Sequence, residues 1–166
     1  MLYIRKMKNI SYFTLAFCSL LLFTQCKKEE ITSDVQFLTN SYFGDCFYYP
    51  SSNDKNVVLR DKESYESYFA ALRQSSSNRD CSEAMPTAID FDKYTLIGHW
   101  TSGGGCSVEY DRTLEQKGNK EVTYHITATY SGLCMMLISS MNWALIPKIK
   151  DRTDVIFDVE EAHQNQ

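Results

Sequence analysis

The stretch "CSVEYDRTLEQKGNKEVTYHITATY", Cys106 to Tyr130, decides the fold. Cys106, Val108, Tyr110 and Leu114 alternate with the polar Ser107, Glu109, Asp111 and Thr113. On the return, Val122, Tyr124, Ile126, Ala128 and Tyr130 alternate with Thr123, His125, Thr127 and Thr129. Alternation with a period of two marks a strand with one buried and one solvated face. Both apolar sets are even-numbered, and opposed residues share a face, so even positions must pair with even ones. Gln116 opposite Lys120 meets that condition and leaves Lys117-Gly118-Asn119 as a three-residue turn, with Gly118 or Asn119 taking positive φ. The spacing predicts a hairpin with a dry face and a wet face.

Upstream, "KNVVLRDKESYESYFAALRQSSS" supplies a strand and then a helix. Val57, Val58 and Leu59 form a short β-rich run. Asp61 is a good N-cap, and Glu63 suits the positive end of the helix dipole. Tyr65, Tyr68, Phe69 and Leu72 fall at i, i+3, i+4 and i+7, and the helix should end near Gln74. Further strands are expected at Thr95–Trp100, Asn142–Pro147 and Asp154–Glu161. One helix and about six strands make an α+β domain, its mostly antiparallel sheet carrying the amphipathic helix on the dry face. Ser102-Gly103-Gly104-Gly105 reads as the turn between two strands. A phosphate cradle would need a helix N-terminus next, and a strand follows instead.

The beginning of the chain is of another kind. Arg5, Lys6 and Lys8 precede an apolar run from Ile10 to Phe23, with no acidic residue in the first 25 positions. The run is shorter than the ~20 residues that cross a bilayer as a helix. A basic start and a short apolar core constitute a secretory signal. Phe23-Thr24-Gln25-Cys26 resembles the lipobox of bacterial lipoproteins, with Gln25 in place of the usual small residue. The resemblance implies cleavage before Cys26 and diacylation of its sulfur, the acyl chains serving as membrane anchor. Lys27-Lys28-Glu29-Glu30 is a solvated spacer, and it is also similar to the export signal that sends lipoproteins of the Bacteroidota to the cell surface. Residues 1–25 are therefore read as signal, 26–40 as lipidated cysteine and tether, and 41–166 as one domain. The expected location is the outer membrane, facing the periplasm or the exterior.

Losing residues 1–25 removes three basic residues and no acid, which takes the formal charge from −4 to −7. A chain this acidic lacks the basic footprint that nucleic acid requires. Of six cysteines, Cys18 leaves with the signal and Cys26 carries lipid. Cys46, Cys81, Cys106 and Cys134 remain, an even number in an exported protein, and so are expected as disulfides. Metal is the weaker reading, because no two lie within the few residues that separate zinc-ligand pairs. No metal or other cofactor is expected.

Catalytic signatures are absent: there is no G-x-S-x-G, H-E-x-x-H, P-loop or C-x-x-C. His125 falls on the wet face of the hairpin and His163 in a polar tail. His99, beside Trp100 in an apolar strand, is the histidine expected to be buried, most simply as a satisfied core group. No catalytic residue is assigned. Two apolar clusters remain, "SYFGDCFYYP" and "MMLISSMNW". Aromatic and methionine surfaces suit protein partners, although a buried strand accounts for either cluster more simply.

The order of "VVLRDKESYESYF", "MPTAIDFDKYTLIGHW", "TSGGGCSVEY" and "NWALIPKI" is similar to the C-terminal domain of the PrcB-like protease-complex proteins. The resemblance covers about Val57 to Glu160. It implies a noncatalytic exported domain, and a surface protease as the protein partner. The expected function is thus a lipid-anchored binding or accessory module. A different class, an envelope hydrolase, would require a cleft that gathers His99, Asp90 or Asp92, and a serine. A third, a structural surface protein, would require neither.

The hairpin also bears on disulfide pairing. With Gln116 opposite Lys120, Cys106 faces Tyr130, and a straight continuation would leave Cys134 ~13 Å away, beyond the ~7 Å limit for a bridge. Ser131-Gly132 lies in the gap and can turn the chain, bringing Cys134 back to Cys106. Cys46 is then left for Cys81. A non-reducing peptide map of the exported protein should join Cys46 to Cys81 and Cys106 to Cys134; a fragment joining Cys46 to Cys106 would overturn that pairing.

Overall fold

The computed structural model describes residues 29–30, 34–39, 42–43, 55–75 and 86–164. In chain order these form β1 (Glu29–Glu30), β2 (Gln36–Leu38), β3 (Asn56–Leu59), α1 (Lys62–Ser75), β4 (Tyr94–Gly104), β5 (Ser107–Lys117), β6 (Glu121–Ser131), β7 (Leu137–Pro147) and β8 (Asp154–Gln164). The hairpin is β5–β6, and its even residues do point inward: Val122, Tyr124, Ile126, Ala128 and Tyr130 are all buried. Its register differs from expectation by two. Lys117 pairs with Glu121 and Val108 with Tyr130, so the turn is Gly118-Asn119-Lys120, with Gly118 at φ 59°. Alternation constrains only parity, and a shift of two preserves every side chain's face. The position of the left-handed glycine makes the choice, since Gly118 now opens the turn.

The α+β class holds, with one helix and mostly antiparallel strands among the described residues. The strands number eight rather than about six, in two sheets ordered β1-β5-β6-β8 and β2-β7-β4-β3. Every neighbouring pair is antiparallel except β6 and β8. A parallel neighbour needs a crossover, and β7 provides it by running in the other sheet.

What covers the hairpin's dry face is this second sheet. Leu114, Val122, Tyr124 and Ile126 pack with Ile97, Ala144, Ile146 and Ile149. The helix lies on the far side, where Tyr65, Phe69 and Leu72 meet Leu96, Met141, Trp143 and Leu145. The molecule is therefore built as helix, sheet, sheet. β4 and β7 form the middle layer and are buried on both faces, which is why Thr95–His99 and Met141–Ile146 are buried without a break. Both strands also run past their apolar segments, through Ser102–Gly104 and Leu137–Ser140, residues that are half-buried or exposed.

Local chemistry supports each element. Asp61 caps α1 by accepting the Ser64 N–H at 2.7 Å. Arg112 stands on the dry face among apolar neighbours, but its guanidinium donates to the Leu38 carbonyl at 3.3 Å and lies 5.0 Å over the Phe37 ring. It thereby ties β2 to the hairpin sheet. Residues 26–40, expected as tether, thus contribute two strands: β1 extends the hairpin sheet and β2 the middle one. The glycine run also departs from expectation. Gly103 and Gly104 are inside β4, and the corner falls at Gly105-Cys106.

Trp143 packs against Phe43, Tyr68 and Phe69, with ring centroids 5.4, 5.9 and 6.1 Å away. It fits there because its cross-strand partner is Gly98. A Cβ at Gly98 would lie 2.4 Å from Trp143 Cε3. Gly98→Ala should therefore cost about 1–3 kcal/mol, the penalty of overpacking a filled core, read as a lowered urea midpoint. Gly104→Ala, where the nearest atom is 3.9 Å away, should leave the midpoint unchanged. Equal midpoints for the two variants would contradict this seating of the indole.

Candidate functional site

Where β6 ends, the chain reverses at Gly132, whose φ is 84°. Glycine is needed there for the backbone and for room, because a Cβ would stand 2.5 Å from Cys106 Sγ. The reversal brings Cys134 onto Cys106. Their disulfide closes with an S–S distance of 2.01 Å and Cα atoms 4.8 Å apart. The expected pair forms, by the expected turn, although Cys106 lies one step beyond the last β5–β6 rung rather than opposite Tyr130. Bridging positions 28 apart in sequence should contribute roughly 3–4 kcal/mol through the unfolded chain.

The segment that follows is held at three points. Cys106 N–H donates to the Ser131 carbonyl at 2.7 Å, Gly105 N–H donates to the Met136 carbonyl at 3.1 Å, and the disulfide fixes the middle. Its side chains face solvent. Leu133 is 86 % exposed, Met135 105 %, Met136 58 % and Leu137 76 %. Single apolar residues on a surface are ordinary, but four within five positions form a patch of the kind found at interaction sites. The methionine-rich cluster is therefore split. Met141 and Trp143 are core, as a buried strand requires, whereas Met135 and Met136 are outside. Of the aromatic cluster, Tyr42 and Phe43 pack on the helix side; Phe47, Tyr48 and Tyr49 lie outside the described residues.

Among the other candidates, His99 is buried between the sheets. Its Nδ1 lies 2.5 Å from Asn56 Oδ1, so that nitrogen carries the proton, and its ring is 5.8 Å from Phe157. Asn142 donates to the His99 carbonyl at 3.4 Å and to Thr101 Oγ1 at 3.0 Å, and Thr101 Oγ1 is 3.1 Å from the Tyr110 hydroxyl. This is a buried polar chain with its partners supplied. Asp90 serves the turn into β4: its Oδ1 accepts the Asp92 N–H at 3.1 Å and its Oδ2 pairs with Lys93 at 2.8 Å. An extended strand separates that turn from His99 by ~17 Å, so His99, Asp90 and Asp92 are not brought together.

One arrangement has no signal in the sequence. On the wet face, His125 Nδ1 is 2.9 Å from Asp158 Oδ2 and Nε2 is 3.4 Å from Glu115 Oε2. Asp158 reaches His125 through the parallel β6–β8 register, which no local pattern encodes. The flanking residues along and across the sheet are Thr113, Thr123 and Thr127. His163, expected in a polar tail, belongs to β8 and stacks 5.5 Å from Tyr130. Among the described residues no group of three His, Cys, Asp or Glu side chains is disposed to hold a metal ion. Glu29 and Glu30, expected as part of an export signal, form β1; Cys26, Lys27, Lys28, Cys46 and Cys81 lie outside the described residues. Compared with known protein families, curated proteins and solved structures, the chain matches none.

Burial pushes the His99 imidazole below its ordinary pKa; nearby Lys55 adds to this and Glu161 opposes it. The unfolded chain therefore binds a proton at His99 more readily than the folded one. The associated stability is fully present above the unfolded value near 6.5 and is lost as pH falls through that value toward the lower folded one. Asp61 and Asp90, held low by Ser64 and Lys93, act in a separate window below about pH 4. Urea midpoints measured between pH 7.5 and 5 should fall for the wild type and fall less for His99→Gln. Parallel curves would show that His99 is not the group responsible.

Proposed function

We propose that the protein is a lipid-anchored binding or accessory module of the bacterial envelope, held to the membrane through Cys26 and acting without chemistry of its own. The observation that carries this reading is the exposed loop Leu133–Leu137, where large apolar side chains meet solvent on a backbone held in place. The histidines support it as well. His99 is occupied by Asn56 inside the core, and His125 sits between two carboxylates on a strand face with threonines around it. The resemblance of residues 57–160 to the PrcB-like domain supports the same class and makes a surface protease the first partner to examine. Among the described residues no helix is long and apolar enough to cross a membrane; attachment through Cys26 is the anchor on which the reading rests.

Cys26→Ser should abolish acyl labelling and move the protein out of the membrane fraction, while the Cys106–Cys134 bridge still forms. Unchanged mass and membrane retention in the variant would refute the anchor. Replacing Lys27–Glu30 with alanines should lower protease accessibility on intact cells if those residues act as the export address.

A further inference from the structure

We propose that the loop Leu133–Leu137 docks into another protein at the end of the domain farthest from the lipid anchor, and that its complement is an apolar cleft edged by basic side chains. The proposal rests on the lipid-anchored reading above and adds a surface, a direction and a partner chemistry to it.

Direction follows from strand pairing. Glu29 pairs with Gln116 and Glu30 with Glu115, antiparallel, so the chain enters β1 from the end of the sheet that holds the Gly118–Lys120 turn. Cys26 precedes Glu29 by three residues, a reach of at most ~11 Å. On the lipid-anchored reading, the tether therefore joins the domain in the neighbourhood of that turn. β5 then runs eleven residues to Ser107, or ~34 Å, before the chain meets Cys106 and the loop. An apolar loop meant for the bilayer would sit at the anchored end. This one is at the opposite end.

Charge narrows the partner. The strand ends around the loop, residues 102–111, 127–131, 137–142 and 159–164, contain no lysine or arginine, and the start of β3 beside Trp100 brings a single cation, Lys55, to that side. They do contain Glu109, Asp111, Glu160 and Glu161, all exposed. An acidic rim opposes an anionic lipid surface, which attracts basic segments instead. It also opposes a second copy of the same tip, since that contact would bring like charges together. A protein with basic residues around an apolar cleft satisfies both the rim and the centre. Apolar anchors seated in a pocket, with a polar border that excludes water, are where interface energy concentrates. The disulfide and the two flanking backbone hydrogen bonds fix the loop beforehand, which lowers the ordering cost of binding.

The test uses the full-length lipoprotein in the cells that make it, with the photo-crosslinker p-benzoylphenylalanine at Met135 and, as control, at Asn119 in the opposite turn. Irradiating intact cells should give one discrete, protease-sensitive adduct from Met135 and none from Asn119. Its yield should fall at least tenfold when Leu133→Asp and Met136→Asp are added, and severalfold with Glu109→Lys and Glu161→Lys. In each variant the Cys106–Cys134 bridge is checked by peptide mapping, so that a misfolded chain is recognised. An adduct with the mass of a phospholipid, a cross-linked dimer of the protein itself, equal adducts from both positions, or no adduct from correctly bridged protein would each overturn the proposal. Acyl labelling of the same samples reports the anchor separately. Labelled protein without an adduct overturns the docking loop alone, and unlabelled protein overturns the anchored-end geometry.

Discussion

The pairing of β4 with β7 is the constraint on which everything else depends. These two strands run antiparallel from Tyr94 opposite Pro147 to Gly104 opposite Leu137, and over Thr95–His99 and Met141–Ile146 both of their faces are covered. One face receives the helix through Leu96, Met141, Trp143 and Leu145; the other receives the hairpin sheet through Ile97, Ala144 and Ile146. A layer dry on both sides must satisfy every polar group internally. The Asn142–Thr101–Tyr110 chain and the His99–Asn56 contact meet that demand. His99, the histidine that the sequence set apart, is thus spent on holding the middle layer together. The same ladder continues through the Gly105–Met136 hydrogen bond to the place where the exposed loop begins.

Much of this architecture was legible. Alternation around Gly118 gave the hairpin and the inward face of every residue on it, because a face depends only on parity. Helix α1 was legible from Asp61 and the spacing of its rings, and the Cys106–Cys134 bridge from the turn available at Gly132. The losses have a common physical origin. A register shift of two leaves the alternation intact, so the pattern carried no information about it. β4 and β7 were recognised over their buried apolar runs, and their half-buried or exposed ends, Ser102–Gly104 and Leu137–Ser140, carried no strand pattern of their own. β1 and β2 are two and three residues long, too short for any pattern, and are strands only because an edge was waiting for them. The parallel place of β8, and with it the Asp158–His125 contact, is a property of the assembled sheet.

The candidate site was harder to see than the fold because its residue types misdirect. Leucine and methionine next to a core strand read as core, and the two residues that belong there, Met141 and Trp143, reinforce the mistake. What separates them from Met135 and Met136 is the disulfide. It holds the preceding segment at the corner of Gly105 and Cys106, so that β7 becomes buried only after the chain has moved past the loop. Exposure here is imposed by a covalent link. It is maintained against the tendency of such side chains to fold inward.

The position of β8 has a bearing on how the protein is made. All eleven of its pairings are with β6, at a separation of 33 residues from His125 to Asp158, and it is the last of the described strands. The folding chain can close the hairpin as soon as residue 131 is available, and can add β7 to β4 shortly after. The flank of β6 stays open until β8 is in place, because non-local pairing comes late in folding. Meanwhile the exposed edge is lined by alternating threonines and a histidine on its wet side, a composition with little tendency to recruit other chains. Completion of the sheet is therefore coupled to the arrival of β8, which closes the flank of β6 over its whole length.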